Sequence, residues 1–250
     1  MYIWLDCKFG CKPQRFSKPL GFGPQPANMQ QDSNNRRPIA SREANWAKRT
    51  AAWLAARNVS PNAISLLSIV FAGLSLLAFR AYTMTWYSCF VPQEDWKNVI
   101  CMVLAIVFIQ LRLLMNMLDG MVAVEFNRKS IYGGLYNEIP DRVSDTLTLI
   151  GVGFTVSSFE YGWTLTWLAV FLSVMTAYIR TLGASLGTGH FFSGPMAKPH
   201  RMALLCAGCI VAIFWPPVFY YLLAAMNIGL LITCYRRTAK VVATLKNMNR

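Results

Sequence analysis

The run Asn116-Met117-Leu118-Asp119-Gly120-Met121-Val122-Ala123, with Gly133, Asn137 and Asp141 behind it, decides how this chain is read. Written by spacing it is N-x-x-D-G-x-x-A-x9-G-x-x-x-N-x-x-x-D, and its polar members stand at the edges of strongly apolar segments. Ionisable groups at membrane depth are costly to hold, so they mark functional sites by default.

The segments on either side make the chain an integral membrane protein. Of its 250 residues 55% are hydrophobic and 14% charged, and no side chain between Arg57 and Arg80 carries a charge, which is enough length for a bilayer span. Further spans are expected at 98–119, where Arg112 interrupts, at 141–158 and at 161–179. The uncharged run 202–235 would measure about 50 Å as one helix, too long for a hydrocarbon core of about 30 Å. Pro216-Pro217 divides it into 202–215 and 218–233. The fold class expected is all-α and polytopic, with six transmembrane helices.

Loop charge agrees with six. Lys and Arg crowd the stretch ahead of the first span and the end after the last, at Arg236, Arg237, Lys240, Lys246 and Arg250. Cytoplasmic loops collect such residues, so both termini are expected inside, in a bacterial inner membrane, with Cys89 outside. The outward loops then hold only Arg80 and Lys97, while Arg128, Lys129, Lys198 and Arg201 fall inside. The net charge of +13 suits anionic headgroups better than nucleic acid, because no basic soluble domain is present.

Residues 1–40 mix Pro, Gly, Asn and Gln without periodicity and read as a disordered or loosely attached arm, its first 28 residues either dispensable or the product of a wrongly chosen start ahead of Met29. No signal peptide is evident. Residues 41–57 set Trp46, Ala51, Trp53 and Leu54 against Arg42, Lys48, Arg49 and Arg57, as a juxtamembrane amphipathic helix would. An ordinary cytosolic helix is the alternative. The membrane domain is expected over 58–240, with a basic cytoplasmic tail at 241–250. Cys206 and Cys209 lie inside an expected span with no second pair, which favours packing over zinc. His200, between Lys198 and Arg201, reads as a phosphate or headgroup contact.

Asn116, Asp119 and Ala123 share a helix face, and Gly133, Asn137, Asp141 and Asp145 recur every four residues. Asp119, Glu125, Glu138, Asp141 and Asp145 are five of the chain's 11 acids. Their oxygens, with those of the two amides, suit a hard divalent cation, Mg2+ or Mn2+, shared with substrate phosphates. Glycines 120, 133 and 134 permit close approach to the backbone.

The segment resembles the signature of the CDP-alcohol phosphotransferases, D-x-x-D-G-x-x-A-R-x8-G-x-x-x-D-x-x-x-D, with the same spacing throughout. The likeness covers about 58–240, since Ser60-Pro61-Asn62 is also similar to the family. It implies six helices around a cytoplasm-facing polar cavity and transfer of a phosphatidyl group from a CDP-linked lipid to a small alcohol, releasing CMP. It implies metal at Asp119, Asn116, Asn137 and Asp141, with Asp141 as base, and CDP contacts at Gly120, Ala123, Gly133, Arg128 and Lys129. Asp145, Arg180, Lys198 and Arg201 are the candidates for acceptor or auxiliary roles. The partners implied are the two substrates and the bilayer, with no nucleic acid and with a homodimer left open.

Three departures bear on this. Asn116 and Asn137 replace two of the family's aspartates, and Val124 replaces its arginine. Pro140 also falls between Asn137 and Asp141, where it removes a helical hydrogen bond. Fewer carboxylates imply weaker metal binding, a single ion, or recruitment of Asp145, Glu125 or Glu138. Other readings stay open: Asp119 and Asp141 as partners of Arg112 or Arg142, Arg180 as a snorkelling residue, and Gly183 with Gly187 as helix packing. At the level of function the rivals are a catalytically silent binding or assembly protein and a transporter.

Overall fold

The computed structural model describes residues 44–87, 95–126, 128 and 131–248. The arm at 1–40, Cys89 and Lys129 lie outside them. Among the described residues seven helices follow one another: α1 Asn45–Ala56, α2 Pro61–Tyr87, α3 Asp95–Glu125, α4 Gly133–Thr155, α5 Gly162–Ser185, α6 Lys198–Ala212 and α7 Val218–Met248. No described residue is in a strand.

The helix starts follow from local chemistry. Ser60 caps α2, its Oγ accepting the Ala63 N–H at 3.2 Å, and Pro61 is preorganised for the first turn. Asn58 turns the chain from α1 into α2 at φ 58°, a region Asn tolerates. Pro199 opens α6, and α7 starts directly after Pro216-Pro217. α4 begins at Gly133 and passes through the buried Pro140 without a break, so the positions spaced by four do share one face.

Four of these helices, α2, α3, α5 and α7, are long and apolar enough to cross a membrane. α4 and α6, expected as spans, differ for identifiable reasons. The first half of α4 carries Glu138, Asp141, Arg142 and Asp145, and α6 has 15 residues, about 22 Å of helix. α7 runs on past Lys240 to Met248, so the basic end is a continuation of the helix.

α2 packs closely on both α3 and α4, α5 on α7, and α6 on α3 and α7. Gly151 makes the α2–α4 contact possible, because a Cβ there would stand 2.9 Å from the Leu76 Cα. The core gathers Phe79, Met102, Ile109, Leu149, Val152, Leu205, Phe219 and Leu223. Phe79 meets Phe219 edge to face at 5.6 Å. Outward faces bear Leu67, Val70, Leu77, Val103, Phe171, Ile228 and Leu231, as hydrocarbon surroundings demand. Buried hydroxyls such as Thr83, Thr148 and Thr166 bond the carbonyl four residues back, which keeps them satisfied without water.

α1 is amphipathic in a manner different from its sequence pattern. Ala47, Ala51 and Ala55 are buried with Met117, Leu118, Met121 and Val122 of α3, so the alanine face, not the tryptophan face, docks. Trp46 and Trp53 stay about half exposed, and Arg57 lies 4.6 Å from the Trp53 ring centre.

Candidate functional site

The apolar core ends where charge begins. Ile109 and Leu149 are fully buried core residues, and about one turn away on the same helices stand the buried Arg112 and Asp145. Asp145 is 1% exposed and held from two sides, by Arg112 of α3 and by Arg201 of α6, whose Nη2 lies 2.9 Å away. Two guanidinium groups thus share one carboxylate. Among the described residues the buried Nε and Nη1 of Arg201 and the Nε of Arg112 find no hydrogen-bond acceptor, a costly condition for charged donors.

One turn toward the start of α4, Asp141 meets cations of its own. Its Oδ1 accepts from the Asn116 amide nitrogen at 2.5 Å and from Lys198 Nζ at 2.5 Å. Its Oδ2 faces Arg142 more loosely, at 3.5 Å. Glu138, a turn earlier, pairs with Arg180 of α5 and stands 3.6 Å from Arg142. Asp119 is turned elsewhere: buried, it accepts the Ser65 hydroxyl of α2 at 2.5 Å.

These groups surround a cavity of about 220 Å³ whose walls include Asn116, Asn137, Asp141, Arg142, Arg180, Phe192, Lys198, Arg201 and Arg237. Its lining holds five cationic side chains and one carboxylate, so it is built for an anion. Arg237 braces the wall, donating to the Thr176 carbonyl at 2.5 Å and the Ser193 carbonyl at 3.0 Å.

The expected residues therefore divide. Asn116, Asn137, Asp141, Arg180, Lys198 and Arg201 come together around the cavity. Asp119 stands behind it, and Asp145 is committed to its two arginines. Arg128 donates to the Asn58 Oδ1 at 2.8 Å, on the connection between α1 and α2, and the cavity walls do not include Gly120, Ala123 or Gly133. Arg112 pairs with Asp145 and not with Asp119.

The remaining sequence features settle as packing. Gly183 lies against Val241 of α7, while Gly187 adopts a positive φ of 79° just beyond α5. Cys209 is a core residue and Cys206 accepts from Gln110 at 3.3 Å. His200 bonds the Pro195 carbonyl at 3.0 Å.

Asp119, Asp141, Asn116 and Asn137 offer hard oxygens only, which fit a divalent cation of the Mg2+ class. Asp145 and Glu138 are already paired with arginines, which leaves Asp119 and Asp141 as the carboxylates of the set. Among the described residues no group of three or more Asp, Glu, His or Cys side chains is placed to hold a metal. Sequence reasoning missed the Ser65, Arg237 and Phe192 contributions; Arg142, read there only as an alternative ion-pair partner, faces Asp141 at 3.5 Å and also lines the cavity.

No family model matches the chain. It is 27% identical over 191 residues to an uncharacterised protein of Aquifex aeolicus, covering 76% of this chain and 85% of that one. It is 26% identical over 196 residues to the inner membrane protein YnbA of Escherichia coli, covering 77% and 89%. Among solved structures it is similar to the phosphatidylinositol phosphate synthase PgsA1 of Mycobacterium tuberculosis. Against the form with CDP-DAG bound, the TM-score is 0.61 at 20% identity, over 79% of this chain and 94% of that one. Against the form in complex with manganese and citrate, it is 0.60 at 20%, over 78% and 88%. What these similarities establish is a shared fold.

Proposed function

We propose that the chain is a CDP-alcohol phosphotransferase of a bacterial inner membrane, moving the substituted phosphate of a CDP-linked lipid such as CDP-diacylglycerol to an alcohol and releasing CMP. The observation that carries this is the meeting of Asn116, Asn137 and Asp141, three elements of the spaced motif, on one cation-lined cavity. Support comes from the fold shared with PgsA1, which has been seen with CDP-DAG and with manganese, and from the name of the YnbA relative. We read α4 and α6 as the remaining two of six spans, with both termini cytoplasmic.

In this reading the cations of the cavity receive the diphosphate, Lys198 as a point charge and Arg142 through its planar fork. Asp141 takes the hydroxyl proton of the acceptor at Oδ2, the oxygen away from Lys198 and Asn116 that Arg142 faces at 3.5 Å. The acceptor oxygen bonds to the phosphorus next to the lipid. The bond from that phosphorus to the CMP oxygen breaks, and its electron pair leaves with CMP. A divalent cation, Mg2+ or Mn2+, held by Asp119 with the amide oxygens of Asn116 and Asn137 would supply Lewis-acid charge to the diphosphate.

The acceptor class is read from the lining. Arg180, Arg201 and Arg237 share the cavity wall, which suits an alcohol bearing an anionic group, most simply a phosphate.

The test is CMP release by purified protein given CDP-diacylglycerol and matched acceptors: glycerol 3-phosphate against glycerol, inositol phosphate against inositol, and serine. Release is expected with a phosphorylated acceptor, roughly tenfold or more above its unphosphorylated counterpart, since charge-assisted bonds are the stronger ones. A rival reading, a silent module that keeps the fold, draws on the two donors already seated on Asp141 Oδ1. No release with any acceptor under Mg2+ or Mn2+ would select it.

A further inference from the structure

Lys198 is the first residue of α6, and its ammonium reaches across to α4. It ends 2.5 Å from Asp141 Oδ1, with both side chains about one-fifth exposed. The same oxygen takes the Asn116 amide, so one edge of the carboxylate is filled by protein donors. The other motif acid, Asp119, is set apart on the Ser65 hydroxyl. The four candidate oxygen donors, Asn116, Asp119, Asn137 and Asp141, carry two negative charges between them, and Lys198 offsets one. A divalent ion seated on Asp141 Oδ1 would have to evict the ammonium or sit beside it, and like charges at such separations repel strongly when partly buried.

We infer that Lys198 is a built-in cation of this site: its ammonium holds Asp141 against a metal ion, the motif takes a single divalent ion through Asp119, and Lys198 supplies the second positive charge that a bound diphosphate meets. The second part deepens the transferase reading and rests on it. The metal count does not require turnover.

This arrangement gives the two asparagines a physical reason. With aspartate at 116 the amide donor to Asp141 would become a second carboxylate at hydrogen-bond distance from the first. The pair would then demand a further cation. An asparagine there donates instead, and one lysine suffices.

The experiment is a Mn2+ titration of the full-length protein in lipid nanodiscs without substrate, read by calorimetry and by the electron paramagnetic resonance of free Mn2+. Wild type should bind one ion. Lys198→Gln should bind a second ion, or the first about tenfold more tightly, and Lys198→Arg should behave as wild type. Because a Lys198 variant can fail to fold, the acids supply an independent arm: Asp119→Asn should lose the ion and Asp141→Asn should keep it.

Two ions in wild type, Lys198→Gln identical to wild type in count and affinity, or loss of the ion in Asp141→Asn would each overturn the inference. The predicted metal pattern in a protein that releases no CMP would defeat the transferase reading and leave the metal assignment standing. CMP release from a protein binding two ions would do the reverse.

Discussion

Asp145→Asn should cost far more stability than its conservative size suggests, because the carboxylate is the sole acid between two buried guanidinium groups. Asp145 is 1% exposed, Arg112 0% and Arg201 2%. Removing one member of a buried charge pair costs about 3–5 kcal/mol, since the partner stays buried and uncompensated. Here two partners are stranded. For a chain of this size about 2–4 °C of melting temperature accompanies each kcal/mol, so a fall of roughly 6–20 °C is expected. The assay is thermal unfolding in detergent, followed by intrinsic fluorescence and by loss of the monodisperse peak. Adding Arg112→Met and Arg201→Met to the variant should restore much of the loss, because apolar groups of similar volume replace buried ion pairs at little cost. A drop below about 2 °C in the single variant would refute this reasoning. It would also return Asp145 to the candidates for metal or acceptor contact.

Asp141→Asn should leave folding intact and lower CMP release by about 10²- to 10⁴-fold, the usual worth of a general base; release within threefold of wild type would exclude Asp141 as the proton acceptor. Arg180→Gln should raise the KM for a phosphorylated acceptor by roughly tenfold, through the lost charge-assisted bond, while the KM for the CDP-lipid stays put; a rise confined to the CDP-lipid would move Arg180 to the other end of the cavity. Gly151→Val should destabilise the protein by about 1–3 kcal/mol through overpacking, because the Leu76 Cα stands 2.9 Å from the new Cβ; an unchanged melting temperature would contradict the close α2–α4 contact.

The helices were legible because their signal is local. Uncharged runs bounded by arginine and Pro216-Pro217 as a break need no knowledge of neighbours, and the residues spaced by four from Gly133 to Asp145 do share a face of α4. Periodicity stops at the helix surface, however. It places Asp141 and Asp145 one above the other but cannot say that Arg112 of α3 and Arg201 of α6 converge on the lower one, since those residues are separated by 33 and 56 positions. It also cannot say toward which neighbour a side chain turns. Asp119 shares a face with Asn116, yet it bonds Ser65 of α2 while Asn116 reaches Asp141 of α4. The bounds of α6 were set too late for a related reason: the uncharged run measures hydropathy, whereas the helix starts at Lys198 and ends at Ala212, ahead of the prolines.

The least legible feature is the one with most chemical consequence, the sign of the cavity. Read as a string, the motif region is rich in acids and suggests a negative site that metal ions must neutralise. In three dimensions α5, α6 and α7 deliver Arg180, Lys198, Arg201 and Arg237 to the same place, and each of the acids Glu138, Asp141 and Asp145 acquires a cationic partner. The lining left over is positive. With aspartate at 116 and 137, two more carboxylates would have to be balanced by cations drawn from that lining or from solution. With asparagine there, that demand does not arise, and Arg142, Arg180, Lys198, Arg201 and Arg237 line the cavity beside the single carboxylate of Asp141.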